Sequence, residues 1–168
     1  MPPITLILAM DDRICREILH EKLTGLDNIH VVAEADDGLT AIHLAHKLRP
    51  DIALIDTMLP GLDGIKAIRR ILAQVPSCKI IALSAYTGQN YIDRMRQAGA
   101  MGYITNIEAM HDVSTMIKTV MAGQFYFNPR FAAFSPVESP PPTLLSAREH
   151  KVLTCLRKDT IHPRLPRY

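Results

Sequence analysis

The sequence predicts an α/β fold: a doubly wound parallel sheet of five strands with helices on both faces. Five short apolar runs alternate with stretches whose apolar residues recur at helical spacing. The apolar runs are uninterrupted, which is typical of strands that are covered on both faces. Because the connections are short, we expect right-handed crossovers and the flavodoxin-like strand order 2-1-3-4-5. The predicted strands are residues 4–10, 29–33, 52–55, 79–85 and 101–105.

Five helices are predicted to follow these strands in turn. The first carries Ile14, Ile18, Leu19 and Leu23 along one stripe, while most of its charged residues lie elsewhere on the helix. The fourth has few strong apolar residues, so we expect it to pack thinly against the sheet. The predicted helices cover approximately residues 13–24, 38–48, 65–75, 88–98 and 108–122.

Proline and glycine mark the ends of several of these helices. Pro50 and Pro76 follow the second and third helices, and the residue before a proline disfavours helical backbone. Gly99 and Gly123 follow the fourth and fifth helices, where glycine commonly ends a helix.

A proline-rich segment, residues 135–143, divides the chain into two unequal parts. Its composition predicts a stiff, extended linker, so we place the first domain at residues 1–134. In residues 144–168, Ser146 and Glu149 form a capping-box pattern, and a short helix is expected to follow. This second part is too short to build a domain of its own.

Composition and charge indicate a soluble protein of a reducing compartment. The chain has 168 residues, 48% of them hydrophobic, and a formal net charge of +2, with the excess of basic residues in its C-terminal part. Cys15, Cys78 and Cys155 are widely spaced and form no C-x-x-C pair, which argues against a disulfide framework and a zinc site. No apolar stretch approaches the roughly 20 residues of a membrane span, and no signal peptide is recognisable. We therefore expect a cytoplasmic protein with no membrane partner.

Acidic residues close two of the apolar runs. Asp11 and Asp12 follow the first run, and Asp56 follows the third. Because ligands bind beyond the carboxyl ends of parallel strands, we expect these three carboxylates to converge in one crevice. Their mutual repulsion calls for a cation, and hard oxygen ligands suit a hydrated Mg²⁺. The alternative is that each aspartate only caps the helix after its strand.

The pattern as a whole resembles the receiver domain of two-component response regulators, in the LuxR-type (NarL/FixJ-type) branch. The resemblance covers residues 4–134 and implies a flavodoxin-like (CheY-like) fold. It is carried by the following residues: Asp11, Asp12, Asp56, the loop of residues 59–64, Ser84 within residues 82–85, and residues 98–104, which include Tyr103.

The resemblance implies a phosphoacceptor in a phosphorelay rather than a turnover enzyme. It makes Asp56 the residue that accepts a phosphoryl group from a sensor histidine kinase. Asp11, Asp12 and Asp56 would hold Mg²⁺ together with the backbone carbonyl of Met58. A small phosphohydrolase is disfavoured, because Met58 stands where such an enzyme carries a second aspartate.

Two further positions correspond to the conformational switch of the family. Ser84 would donate a hydrogen bond to the phosphoryl group, and Tyr103 would then turn inward. The alternatives are that Ser84 is an ordinary polar residue of a strand and that Tyr103 only fills the core.

One departure from the family pattern lies close to this switch. The family carries a lysine three residues after the tyrosine, where this chain has Asn106. An amide can donate a hydrogen bond but brings no positive charge. This leaves open a pseudo-receiver that binds partner proteins without being phosphorylated.

A second departure lies at the C-terminus. Residues 143–153 resemble the first helix of a LuxR-type DNA-binding domain, but the chain ends before a recognition helix. We therefore expect a truncated regulator that binds DNA only if the full helix-turn-helix domain is present. The sequence also permits a homodimer, formed through the first or fifth helix.

Overall fold

In the computed structural model, which describes residues 3–85 and 88–127, strands and helices alternate along the chain. The strands are β1 (Ile4–Ala9), β2 (Ile29–Ala35), β3 (Ile52–Asp56), β4 (Lys79–Ser84), β5 (Ala100–Thr105) and β6 (Tyr126–Phe127). The helices are α1 (Arg13–Thr24), α2 (Gly38–Leu48), α3 (Gly64–Gln74), α4 (Gln89–Gln97) and α5 (Asn106–Met121).

The sheet is parallel throughout and runs in the order β2-β1-β3-β4-β5-β6. The predicted fold class and the five-strand order 2-1-3-4-5 are confirmed. The sequence did not predict β6, a two-residue strand that pairs with β5 through Gly102 and Tyr103. So short a segment has no periodicity of its own by which it could be recognised.

The core consists of two layers, one on each face of the sheet. Alternate residues of β1 point to opposite faces: Ile7 and Ala9 enter one layer, and Leu6 and Leu8 enter the other. The first layer receives side chains from α2, α3 and α4, and the second from α1 and α5. Coverage on both faces explains why the strands are apolar without interruption.

The expected apolar stripe of α1 is only half buried. Leu19 and Leu23 are fully enclosed, whereas Ile14 is 70% and Ile18 44% exposed. At 3.6 residues per turn, Ile14 and Ile18 lie about 100–180° around the helix from Leu19 and Leu23. The four residues therefore cannot all face the sheet.

The fourth helix packs as thinly as its sequence predicts. Among its described side chains only Ile92 and Met95 are buried, and Tyr91 packs partly against the same layer. None of the helices within residues 3–85 and 88–127 has the length and hydropathy needed to cross a membrane.

The two described cysteines, Cys15 and Cys78, are not joined to each other in a disulfide. Cys78 is buried, and this burial, with a smaller contribution from the charge of Asp51, raises the pKa of its thiol to about 12. The thiol of Cys78 is therefore inert at neutral pH. The third cysteine, the predicted linker at 135–143 and the helix expected after it lie outside the described residues.

Gly64 allows α3 to start directly against the loop that follows β3. A Cβ atom at this position would lie 2.6 Å from the Cα and 2.9 Å from the carbonyl oxygen of Thr57. Thr57 cannot easily move aside, because its N–H donates to the carbonyl of Leu83 at 2.8 Å. The close approach of α3 thus depends on the missing side chain.

We predict that Gly64→Ala destabilises the domain by about 1–3 kcal/mol, because overpacking forces the backbone to shift. Urea denaturation monitored by circular dichroism measures the change. Gly25→Ala is the matched control, since a Cβ there would lie 3.4 Å from the nearest atom, the carbonyl oxygen of Glu21. Equal stability of the two variants would contradict the prediction.

Candidate functional site

The site is built around Asp56, the last residue of β3. Its side chain is 1% exposed, and its Oδ1 accepts a hydrogen bond from the N–H of Met58 at 2.8 Å. This bond within the loop sets the orientation of the carboxylate at the carboxyl edge of the sheet. A charge so deeply buried is costly unless hydrogen bonds or an opposite charge compensate for it.

The two acidic residues after β1 lie at the same edge. Strand pairing aligns Ala9 with Ile55. Asp11 and Asp12, which follow β1, therefore lie at the same edge of the sheet as Asp56, the last residue of β3. Asp12 is the N-cap of α1, and its Oδ1 accepts from the N–H of Cys15 at 2.9 Å. Asp12 therefore does cap α1, whereas the alternative that capping is its sole role stays a prediction.

Asp56 differs from the aspartates that only cap helices. Asp37 caps α2 by accepting from the N–H groups of Leu39 and Thr40. Asp63 caps α3 by accepting from the N–H of Ile65 at 2.7 Å. A hydrogen bond from the hydroxyl of Thr40, at 2.5 Å, also lowers the pKa of Asp37. Asp56 caps no helix, so capping does not account for a carboxylate at this position.

Ser84 and Tyr103 belong to the neighbouring strands on the other side of β3. Ser84 ends β4, is fully buried, and pairs across the sheet with Thr105. Tyr103 is 2% exposed, and its ring contacts that of Tyr91 edge-on, with 6.4 Å between centroids and 75° between planes. The ring of Tyr103 is thus turned inward in this structure.

Asn106 is the first residue of α5 and directly follows β5. Residue 106 therefore leaves the same edge of the sheet at which Ser84 and Asp56 lie.

The oxygen donors at this edge suit a hydrated Mg²⁺ ion more than a cation enclosed by protein ligands alone. Within residues 3–85 and 88–127, no group of three or more His, Cys, Asp or Glu side chains is placed to hold a metal ion. The structure thus does not form a cage of three carboxylates. Mg²⁺ usually keeps several waters and takes only one or two carboxylates, so Asp56 with one acidic residue after β1 suits it chemically. The cap made by Asp12 Oδ1 does not exclude ligation, because a carboxylate has about four lone-pair sites.

Two features of this edge were not predicted from the sequence. Thr57, which follows β3, and Thr105, which ends β5, are buried at 3% and 8% exposure. Arg16 of α1 donates a hydrogen bond to the backbone carbonyl of Met10, just before the acidic pair. The sequence contains no signal for this bond, since helical spacing places Arg16 on the polar side of α1.

Comparisons with known proteins agree with the fold. The response regulator receiver domain family matches residues 6–118. The response regulator GacA of Pseudomonas viridiflava is 32% identical over an alignment covering 95% of this chain and 80% of that protein. The response regulator UvrY of Escherichia coli (strain K12) is 30% identical, covering 92% and 74%. The crystal structure of a LuxR-family two-component response regulator from Aurantimonas sp. SI85-9A1 has a TM-score of 0.73 at 27% identity, covering 89% of this chain and 99% of that one.

The structural role of Asp12 can be separated from any role in binding. We predict that Asp12→Ala destabilises the domain by about 1 kcal/mol, whereas Asp12→Asn leaves stability within about 0.5 kcal/mol, because asparagine caps a helix as well as aspartate. Urea denaturation without divalent cations measures both variants. An alanine variant as stable as the wild type would show that the cap contributes nothing.

Proposed function

Because the chain belongs to the response regulator receiver domain family, we propose that Asp56 accepts a phosphoryl group from a sensor histidine kinase. The observation that carries the proposal is the buried carboxylate of Asp56 at the carboxyl end of β3, which caps no helix. The chain is thus the receiver of a two-component system, and the transfer to Asp56 is the specific step proposed for it.

In the proposed phosphoryl transfer, the nucleophile is a carboxylate oxygen of Asp56. An oxygen of Asp56 forms a bond to phosphorus while the bond from phosphorus to the kinase histidine nitrogen breaks, and the imidazole leaves as a neutral group after taking up a proton. Mg²⁺, when bound, neutralises the charge of the transferring group and orients it. The hydrogen bond from the N–H of Met58 holds Oδ1 of Asp56, which restricts the direction from which the donor approaches.

The proposed metal ligands are Asp56, the backbone carbonyl of Met58 and either Asp11 or Asp12, since Mg²⁺ takes only one or two carboxylates. All four residues follow or end the two adjacent strands β1 and β3. The N-cap keeps the Asp12 side chain at the start of α1, and Asp56 is held by its own loop. Ligands that are fixed before binding lose little conformational entropy when the ion arrives.

The proposed switch connects Ser84 to Tyr103. A phosphoryl group on Asp56 brings new acceptor oxygens to the edge where the hydroxyl of Ser84 is buried, so Ser84 can donate to one of them. Tyr103 already lies inward, edge-on against Tyr91, so the switch is proposed to stabilise this inward position when Ser84 is engaged. The thin packing of α4 makes the surface formed by α4 and β5 the part that responds most easily.

The output of this switch is proposed to be regulation of transcription in a form that carries a complete helix-turn-helix domain. Residues 144–168, which resemble the beginning of such a domain, lie outside the described part of the chain. A homodimer is a second proposed output. Ile14 and Ile18 are neighbours on one row of α1 and both are exposed, so they suit pairing with the same surface of a second copy.

The second candidate function is a pseudo-receiver that binds a partner protein without phosphorylation. Asn106 favours it, because the cation that would counter the phosphoryl charge is missing at this position. The intact set of Asp56, the acidic pair and Ser84 favours the phosphoacceptor, which is why we place it first.

The phosphoacceptor is tested with acetyl phosphate and MgCl₂. We predict that the wild type gains one phosphoryl group by intact-protein mass spectrometry, as an acyl phosphate that hydroxylamine releases. Asp56→Asn and addition of EDTA should each abolish the gain, and Asp27→Asn, at an exposed loop residue, should not. An unmodified wild type, or equal modification of Asp56→Asn, would refute the proposal.

The missing lysine is tested by restoring it. We predict that Asn106→Lys accelerates phosphorylation of Asp56 by about ten-fold or more, because a fixed charged donor at a transferring group is typically worth at least this much. Asn90→Lys adds the same charge at an exposed position of α4 and serves as the control. If neither variant changes the rate, the loss of charge at residue 106 does not limit the reaction.

A further inference from the structure

Arg16 connects α1, the end of β1 and the edge strand β2. Its Nε donates to Oε2 of Glu34 at 3.1 Å, and its Nη1 donates to the backbone carbonyl of Met10. Nδ1 of His20, one turn further along α1, contacts the other carboxylate oxygen of Glu34. The side chain of Arg16 is only 16% exposed, whereas those of Glu34 and His20 are 34% and 39% exposed.

These bonds fix the residue that precedes the acidic pair. Met10 is buried at 1% exposure, and its N–H donates to the carbonyl of Ala35 at the end of β2. Its carbonyl is bound by Arg16, which is in turn held by Glu34 of the same strand. Both backbone polar groups of Met10 are thus tied to β2, one directly and one through Arg16.

The other end of the acidic pair is also held by the start of α1. The backbone N–H of Arg16 donates to the carbonyl of Asp12 at 2.9 Å, and the N–H of Cys15 donates to its side chain. Arg16 therefore contacts the backbone on both sides of Asp11. Its guanidinium donates to the carbonyl of Met10, and its own N–H donates to the carbonyl of Asp12.

We propose that Arg16 is a positioning residue for divalent-cation binding, which holds the Asp11–Asp12 segment in the conformation that binds the ion. The inference rests on the proposed Mg²⁺ site. Metal affinity depends on groups that orient the ligands as well as on the ligands themselves. The fork of the guanidinium suits this role, because it can bind the Met10 carbonyl and the Glu34 carboxylate at the same time.

The sign of the effect separates positioning from simple electrostatics. Arg16 carries a positive charge close to a site for a divalent cation, so Coulomb repulsion alone lowers the affinity for Mg²⁺. Removing the charge should then raise the affinity. If Arg16 acts by positioning the acidic pair, its removal lowers the affinity.

The experiment titrates ¹⁵N-labelled protein with MgCl₂ and follows the amide signals of the β1–α1 loop. We expect Arg16→Gln to weaken Mg²⁺ binding by about ten-fold, the effect typical of losing a group that orients a metal ligand. Arg16→Lys keeps the charge and most of the side-chain packing but loses the fork, so it should also weaken binding, by a smaller factor. Thermal denaturation without Mg²⁺ records whether each variant is folded.

Arg13→Gln is the charge-matched control. Arg13 is closer to Asp12 in sequence, but its side chain is exposed and pairs with Glu17 one turn along α1 at 2.7 Å. Its replacement should leave Mg²⁺ affinity unchanged or slightly higher.

Unchanged or tighter binding by folded Arg16→Gln would overturn the inference while leaving the proposed function intact. If Arg16→Gln fails to fold, Arg16→Lys decides in the same way. A wild type that binds no Mg²⁺ would overturn both the inference and the proposed site.

Discussion

The parallel pairing of β1, β3 and β4 is the constraint on which the rest of the structure depends. Parallel strands end at a common edge, so a polar residue at the end of each is brought to one place although the residues are far apart in the chain. The pairing of Asp56 with Leu83 and of Ala9 with Ile55 sets this alignment. A shift of one residue in either pairing would turn every side chain of that strand to the opposite face. The apolar strands that form the core thus also determine the geometry of the site.

Burial gives the site its chemical character. The same two-layer core that encloses the strands leaves Asp56 and Ser84 almost without contact with solvent. Electrostatic interactions are stronger in such surroundings, so a change of charge on Asp56 acts strongly on its neighbours. The backbone around it is restrained as well, because Gly64 lets α3 start against Thr57 and the N–H of Met58 holds the carboxylate. A new charged group at this position therefore has few ways to be accommodated, which favours a discrete response over a gradual one.

The sequence was sufficient for the fold class, the strand order and the edge at which the site lies, because all three depend on periodicity and on which residue ends each run. The sequence was not sufficient for features that depend on contacts between helices and strands. Two rows on α1 look equally apolar, and only the docking of the helix determines that Leu19 is enclosed and Ile14 exposed. Likewise Asp12 both caps a helix and is a candidate ligand, and no pattern separates the two roles. The bond from Arg16 to Glu34 spans two elements whose relative placement periodicity does not define.

The residue at position 106 affects the balance of charge at this edge of the sheet. The acidic residues Asp11, Asp12 and Asp56 bring negative charge, and a phosphoryl group would add more. Arg16 directs its guanidinium to the Met10 carbonyl and to Glu34, so its charge is compensated by β2. With an amide at residue 106, the chain supplies hydrogen-bond donors at that position but no charge. If Asp56 is phosphorylated as proposed, the balance of charge would depend chiefly on the proposed cation, and the conformation of the β1–α1 loop would then influence the state that the domain adopts.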